Sequence, residues 1–468
     1  MAELISARAR LWLPTLAFPN LYAQPARRLN VLFIAVDDLN RQLHCYGNPV
    51  VRSPNIDGLA ARGVRFERAY CQYSLFNPSR TSLLSGRRPE ATRIWDNSTP
   101  PRTYLGDVVF LPEYFRQHGY FTARVGKIAH GAFEDAVKWD VSESPPRATD
   151  NGVPQRGAKA AKRARRAQPA KPAGGGMKLE WRATEGSDAD EPDGRTARRI
   201  VQLMEQNRDK PFFLGAGFHK PHLPWVAPKK YFDLYDPSQI KLPSNPPSDR
   251  DDIPPVALTR TAGDEEMTDA ERRQAIAAYH AATSYMDAQV GVLLEAVDRL
   301  KLADRTVIVF WGDNGFLLYE HGLWRKTCLF EPSAGVPLII AAPGKRAGAV
   351  SPRLVEFVDL YPTLAELCGL PLPEGLEGTS MAPLLEDPRR PWKKAAFTMT
   401  TRGKGLIGRS ARTERYCYNE WGDEKTAELY DHQTDPGEYT NLVNDPAQAG
   451  TLAGMRQLLR AGWMGARP

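Results

Sequence analysis

Two runs of apolar residues in this chain stop abruptly at paired oxygen ligands. Residues 31–36 read Val-Leu-Phe-Ile-Ala-Val and end at Asp37-Asp38. Residues 305–311 read Arg-Thr-Val-Ile-Val-Phe-Trp and end at Gly312-Asp313-Asn314-Gly315. Continuous runs rich in β-branched residues are expected as strands buried on both faces. Adjacent carboxylates at such a strand end repel each other and are costly unless a cation joins them. In open α/β sheets that end is also where ligands bind. Asp37, Asp38, Asp313 and Asn314 together offer three carboxylates and one amide oxygen without a thiolate. That is the ligand set of a hard cation: calcium fits best, magnesium next, zinc poorly.

Residues 76–89, Phe-Asn-Pro-Ser-Arg-Thr-Ser-Leu-Leu-Ser-Gly-Arg-Arg-Pro, suggest an anion site. Asn77 is expected to cap a short helix, with Pro78 in its first position and Gly86 ending it. Such a helix points free N–H groups and a positive dipole end at what precedes it, and Arg80 adds a cation in the first turn. Lys127 and His130, three apart just past the strand expected at 120–125, could face one anion. His219 and His222 follow another expected strand, 211–218, in a loop that Pro221 and Pro224 stiffen. Taken alone, each segment also reads as ordinary structure, an N-capped helix or exposed basic side chains.

The elements needed to position these residues alternate along the chain. Residues 54–70 read as a helix and a short strand, and a further helix opens at Leu111. Helices are expected at 193–207 and, long and amphipathic, at 271–299. Another apolar strand follows at 336–342, and a last helix of the main domain begins at Val358. This alternation predicts an α/β fold with a large, mostly parallel sheet flanked by helices. Short runs at 396–401 and 416–419 predict a small antiparallel sheet, closed by a helix over 446–463. The expected division is a leader at 1–27, a main domain at 28–375 and a C-terminal subdomain at 376–468. Residues 142–176, poor in large apolar side chains, are read as a disordered basic surface insertion, and 243–268 as a second surface excursion.

The whole chain has 468 residues, 42% hydrophobic and 25% charged, with no apolar run long enough to span a membrane. Its formal charge of +7 equals the seven positive charges of one acid-free run, Arg156 to Lys171. The remainder is neutral, so charge gives no argument for nucleic acid; the run itself could attract a polyanion. Five scattered cysteines show no metal spacing and no disulfide framework. Arg8 and Arg10 precede a short apolar run, 11–18, with small residues at Ala23 and Ala26, a pattern that predicts export to the periplasm or outside the cell.

The segment Phe76-Asn-Pro-Ser-Arg80, continuing to Leu84-Ser-Gly86-Arg-Arg, resembles the sulfatase signature Cys/Ser-x-Pro-Ser-Arg-x-x-x-Leu-x-Gly. Val36-Asp37-Asp38, Gly126-Lys127-x-x-His130, Asp313-Asn314-Gly315, Glu320-His321-Gly322 with Lys326, and Glu428-Leu-Tyr-Asp431 with Asp435-Pro436 and Glu438 are similar to further elements of that family, in the right order. The chain is thus identified as a member of the sulfatases, within the alkaline-phosphatase-like superfamily. Its Phe-His-Lys-Pro-His-x-Pro segment leans towards the iduronate-2-sulfatase-like branch.

The resemblance implies hydrolysis of sulfate esters, of a sulfated carbohydrate or an aryl sulfate, by a formylglycine made from the first residue of the signature. It implies that Asp37, Asp38, Asp313 and Asn314 hold Ca²⁺, and that Arg80 and Lys127 steady the nucleophile. His130 would deprotonate its hydrate, Lys326 and His222 would contact the sulfate, one of them protonating the leaving alcohol, and His219 would support them. Here Phe76 stands at the formylglycine position, and its benzyl group has no oxygen or sulfur to oxidise. Lack of turnover is therefore expected, in a pseudo-sulfatase that binds sulfated polyanions or in an altered chain with an active parent, unless Phe76 stands for a modified residue. A phosphoesterase of the same superfold is the other expectation, weakened because Asn314 follows Asp313 where a two-metal cluster wants His.

Overall fold

The computed structural model describes residues 28–145, 179–258, 266–403 and 405–468. Eight strands build the main sheet: β1 (Asn30–Val36), β2 (Val64–Tyr70), β3 (Phe121–Gly126), β4 (Val141–Glu143), β5 (Phe212–Phe218), β6 (Thr306–Gly312), β7 (Gly335–Ala341) and β8 (Ala349–Glu356). Their order is β8-β2-β7-β6-β1-β5-β3-β4, and every neighbouring pair is parallel except those of β7, which runs antiparallel to β2 and β6. The expected mostly parallel sheet is present.

Alternation of side chains along a strand lets the central strand β1 serve two cores. Val31, Phe33 and Ala35 pack with Leu83, Leu84, Phe115 and Leu364 on one face. Leu32, Ile34 and Val36 pack with Ile56, Leu59, Ile200 and Met286 on the other. Each such apolar side chain contributes about 1.5–3 kcal/mol on burial, so the uninterrupted apolar runs of β1, β5 and β6 are what a doubly covered sheet requires. The carboxyl ends of β1, β3, β5 and β6 consequently lie side by side at one edge of the layer.

A second sheet follows, antiparallel throughout: β9 (Ala396–Arg402), β10 (Leu406–Arg412), β11 (Tyr416–Trp421) and β12 (Asp423–Asp431). The closing helix Ala449–Gly465 packs on it, with Met455 against Ala411, Tyr418 and Leu429. All five cysteines are free thiols. No helix among the described residues is long and apolar enough to cross a membrane.

Four expectations need correction. The helix expected to be capped by Asn77 and to begin at Pro78 starts two residues earlier, as Phe76–Ser85, with Leu75 as its uncapped N-cap residue. Asn77 instead lies inside the first turn, where its amide donates to the carbonyls of Asp96 and Thr99. Its N–H donates to Asn97 Oδ1 and Pro78 has none, so little of the expected anion-binding N-terminus is free. Gly86 does end the helix: at φ 65° it closes a left-handed turn in which its N–H reaches Leu83 O and that of Arg87 reaches Ser82 O.

Second, the insertion expected from 142 begins later, because Ser142 and Glu143 belong to edge strand β4; its remainder from 146 lies outside the described residues, as does the leader at 1–27. Third, the excursion 243–268 is not wholly on the surface: Ile253 and Ala257 are buried against Cys417, Trp421 and Tyr430. Fourth, the long helix, Asp269–Arg299, is not amphipathic in its first half. Residues 275–287 are buried throughout: Tyr279 packs against Trp225 and Phe316, and two turns further along the helix Met286, then Val290, join the core beneath the sheet.

Candidate functional site

The chain leaves β1 at Asp37, whose N–H still donates to Phe218 O of β5. Asp38 then adopts φ 60°, a left-handed conformation that Asp tolerates, and turns its carboxylate back over the sheet. From β6, the Asp313 N–H donates to Val36 O, and Asp313 Oδ1 accepts the N–H groups of Asp38 and Asn314, both at 3.0 Å. Asn314 Nδ2 donates to Asp38 Oδ1 at 2.8 Å. The two strand ends are thus tied together, and Asp37, Asp38 and Asp313 each place an oxygen within 4.8 Å of the others. All four residues are buried.

Three cations balance the three carboxylates. Arg80 Nε binds Asp313 Oδ2 at 2.7 Å, Lys127 Nζ binds Asp37 Oδ2 at 2.6 Å, and Lys326 Nζ binds Asp38 Oδ1. The balance is uneven. Burial works to raise Asp37, yet Lys127 and its other basic neighbours hold it well below the usual carboxylate range. Burial pushes Asp38 up to about 6, against the pull of Lys326 and with repulsion from Asp37 and Asp313 added. Burial likewise raises Asp313 despite Arg80, and lowers Lys326 despite Asp38.

Asp37 Oδ1 and Asn314 Oδ1 are buried with no hydrogen-bond donor. With Asn314 using its donor end on Asp38 and Gly315 O, its oxygen is left without a partner. Orphaned oxygens among three carboxylates, with no sulfur, fit a hard divalent cation such as Ca²⁺.

Above this floor lies Phe76, the first residue of its helix. Lys326 Nζ is 3.1 Å and Lys127 Nζ 4.0 Å from its ring centroid. His130 stacks on the same ring at 5.6 Å, and His222 tilts against it at 5.1 Å. His222 Nε2 is 3.8 Å from Asp38 Oδ2, and His219 Nδ1 is 3.5 Å from Asp37 Oδ2. His222 Nδ1 faces Leu223 O, so it carries the ring proton and leaves the Nε2 lone pair turned inward. Burial is the main reason these imidazoles stay neutral. It takes His222 down to about 3 and His130 to about 4, with Lys127 adding to the effect at both, and lowers His219 further with help from Lys220.

Every residue singled out in the sequence therefore meets around one ring: Asp37, Asp38, Arg80, Lys127, His130, His219, His222, Asp313, Asn314 and Lys326. Two buried acids that touch the same loops were not anticipated. Glu134 and Asp193 each accept two backbone N–H groups beside these basic side chains. Asp193 directly after Pro192 at a helix start, and Glu134 four residues past His130, were the only sequence signals for them.

Comparison with known proteins bears on the same residues. The family model described as Sulfatase matches residues 29–370, and that of the N-sulphoglucosamine sulphohydrolase C-terminal region matches 319–462. Iduronate 2-sulfatase of Homo sapiens is 31% identical over 521 residues, covering 91% of this chain and 92% of that protein. Among solved structures, BT1596, a 2-O GAG sulfatase, superposes with a TM-score of 0.73 at 25% identity, covering 93% of this chain and 92% of its own. The phosphonate monoester hydrolase of Agrobacterium radiobacter has the same fold, with a TM-score of 0.78 at 23% identity over 93% of this chain and 95% of its own.

Proposed function

The chain belongs to the sulfatase family of sulfuric ester hydrolases, and from that premise we propose that its site is built for sulfate esters of glycans, in the manner of iduronate 2-sulfatase, but is silenced by Phe76 at the nucleophile's place. The observation that carries this reading is the seat of the Phe76 ring, in contact with Lys127 and Lys326 and flanked by His130 and His222. Those four groups would face a reacting sulfate. A benzyl group can neither attack sulfur nor be oxidised to an aldehyde hydrate. With Lys326 Nζ 3.1 Å from the ring centroid, no sulfate fits between the two.

Sulfatases typically bind Ca²⁺, and the buried Asp37, Asp38 and Asp313 group could hold one, with Asn314 Oδ1 as a fourth donor. The bound ion would draw charge from the sulfate oxygens as the ester bond breaks. Arg80 and Lys127, fixed by Asp313 and Asp37, would hold the nucleophile and the charge developing beside it. His130, neutral and beside the ring, would take the proton of the hydrate. Of the two candidates for the leaving-group proton, Lys326 is the better donor, because burial lowers its pKa while His222 is held neutral. Asn314 after Asp313, where a two-metal phosphoesterase wants His, argues against that activity; Asp37, His219 and His222, whose ligand atoms lie within 4.8 Å of one another, are where a second ion would have to bind. We propose in addition that this work is done outside the cytoplasm, a reading supported by the signal-like pattern of residues 8–26.

Persistence of the cations around Phe76 favours one second reading, binding of sulfated polyanions without turnover. Sulfate release from an aryl sulfate and from heparin-type fragments separates the two, comparing the chain with Phe76→Cys, both co-expressed with a formylglycine-generating enzyme. Turnover in the repaired chain alone is expected. Turnover in the unrepaired chain would overturn the reading. Silence in both, with calorimetric binding of the fragments, would favour the second.

A further inference from the structure

Four of the site's basic side chains sit on two neighbouring loops, Lys127 and His130 on 127–130 after β3, and His219 and His222 on 219–224 after β5. Where they leave the sheet the strands touch backbone to backbone. A Cβ on Gly126 would lie 2.0 Å from Gly217 O, and one on Gly217 would lie 2.3 Å from Lys127 N. No side chain at this crossing can shape either loop. Their form must come from groups further along.

Both loops are held in the same way. Glu134 takes the N–H groups of Ile128 on Oε1 at 3.0 Å and Ala129 on Oε2 at 2.9 Å. Arg80 grips the other side of that loop, its Nη1 donating to the carbonyls of Lys127 and Ile128 at 2.8 and 3.0 Å. Asp193 takes the N–H groups of His219 on Oδ1 and Lys220 on Oδ2, both at 2.8 Å. Lys220 Nζ grips the carbonyls of His222 and Pro224 at 3.1 and 2.6 Å. In each loop an acid collects two successive N–H groups and a base collects two carbonyls. Glu134 and Asp193 are 6% and 2% exposed, so these bonds are shielded from water.

We infer that Glu134 and Asp193 are a matched pair of positioning residues, Glu134 setting Lys127 and His130 on one side of the reacting centre and Asp193 setting His219 and His222 on the other. Each carboxylate acts through its loop's backbone and not on the reacting centre itself. The inference rests on the proposed site for its catalytic meaning, though not for its geometry. A carboxylate can accept two N–H groups at once, whereas the isosteric amide accepts one and turns its own N–H₂ on the other. Glu134→Gln should therefore tilt only the first loop, and Asp193→Asn only the second.

The test reads the imidazole ¹⁵N resonances of the chain as it stands, with no substrate. Asp193→Asn should shift the rings of His219 and His222 and leave His130 in place; Glu134→Gln should do the reverse. Should Asp193→Asn unfold, Asp193→Glu keeps the charge on a longer arm and should still move only its own pair. In the Phe76→Cys chain bearing formylglycine, each amide variant should lose about 10- to 100-fold in kcat, with Ca²⁺ affinity unchanged. Rings that do not move, or that all move together in either variant, would overturn the assignment. Silence of the repaired parent would count against the proposed function alone, because the ring resonances do not depend on it.

Discussion

Two buried clusters of acids and bases in this molecule have nearly the same composition and opposite construction. Glu356 and Asp359, with Arg88 and Lys393, join the edge strand β8 to the helices beside it. Both oxygens of Glu356 accept from Arg88, one also from Phe397 N–H and the other from Lys393. Both oxygens of Asp359 accept from Lys393, with Thr379 N–H and Glu356 N–H completing them. No carboxylate oxygen is left over. Around Asp37, Asp38 and Asp313 the charges also match, yet Asp37 Oδ1 and Asn314 Oδ1 have no donor, and the nearest cation to the former is Arg80 at 3.6 Å. Each cluster has one acid held well below its ordinary pKa against burial, Glu356 by Arg88 and Lys393 and Asp37 by Lys127. Each has another that burial raises, Asp359 or Asp38. The clusters therefore differ in their unmet oxygens and not in their charge balance. A closed network uses its acids for the fold; an open one keeps coordination for a ligand.

The largest test of that contrast removes one lysine from each cluster. Lys393→Met leaves Glu356 and Asp359 buried without their shared donor, a loss expected to cost about 3–5 kcal/mol in urea denaturation. Lys326→Met also strips a buried acid of its cation, and should destabilise the metal-free chain. Measured against the parent at the same saturating Ca²⁺, most of the loss at Lys326 should disappear, whereas the loss at Lys393 should persist in full, because Ca²⁺ stabilises that variant and the parent alike. Equal responses to Ca²⁺ would dissolve the distinction.

A third arrangement sharpens it: an acid closed by neutral donors only. Glu428 is buried, accepting from Trp421 Nε1 at 2.8 Å and Tyr430 OH at 2.9 Å. Burial, only partly offset by these bonds, pushes its carboxyl from 4.5 up to about 7. The folded state then keeps a proton that the unfolded chain releases above pH 4.5, so stability falls as pH rises between about 4.5 and 7, by roughly 3 kcal/mol in all. Glu356, its pKa lowered, gives the opposite slope, with stability present above 4.5 and lost as pH falls below it. Glu428→Gln should flatten the decline in denaturation midpoints between about pH 6 and 7, above the range where Asp38, Asp193 and Asp287, raised to about 6, add declines of their own, while leaving the acid limb unchanged. A decline that survives the substitution would assign it to other groups.

The open cluster could be read from the sequence because its signal is local: an apolar run that stops at two oxygens says both strand and ligand. β1, β5 and β6 were legible for the same reason. β8 was not, because Arg353 and Pro352 break its apolar pattern; it is an edge strand, where proline is tolerated and its register shifts between Ser351 and Leu354. The long helix misled because its alanines and polar residues looked like a solvent face, while Ser284 and Asp287 are buried and satisfied by partners far away in sequence, Ser284 through Arg52 O and Asp287 through Asn55 and Ile56, and buried Thr283 by Tyr279 O one turn back. Glu134 and Asp193 escaped for a deeper reason. Their partners are backbone N–H groups, which every residue carries, and no spacing of side chains encodes a backbone contact.

The smallest effect isolates the ligand itself. Asp38 is buried, pushed up to about 6 and repelled by Asp37 and Asp313, so its ion pair with Lys326 offsets only part of the cost of burying its charge until a divalent cation arrives. Asp38→Asn keeps an oxygen for Asn314 Nδ2 and removes that charge. The metal-free variant should lie close to its parent in stability. In the parent, free Ca²⁺ at 100 times its Kd should add about 2.7 kcal/mol to unfolding, by mass action on the folded state alone. In Asp38→Asn most of that increment should vanish at the same Ca²⁺ concentration, because a hard cation loses one of three carboxylates. Retention of the full increment would mean that Ca²⁺ binds elsewhere. The strand-end acids would then be a closed network like that of Glu356, with water on the two orphaned oxygens.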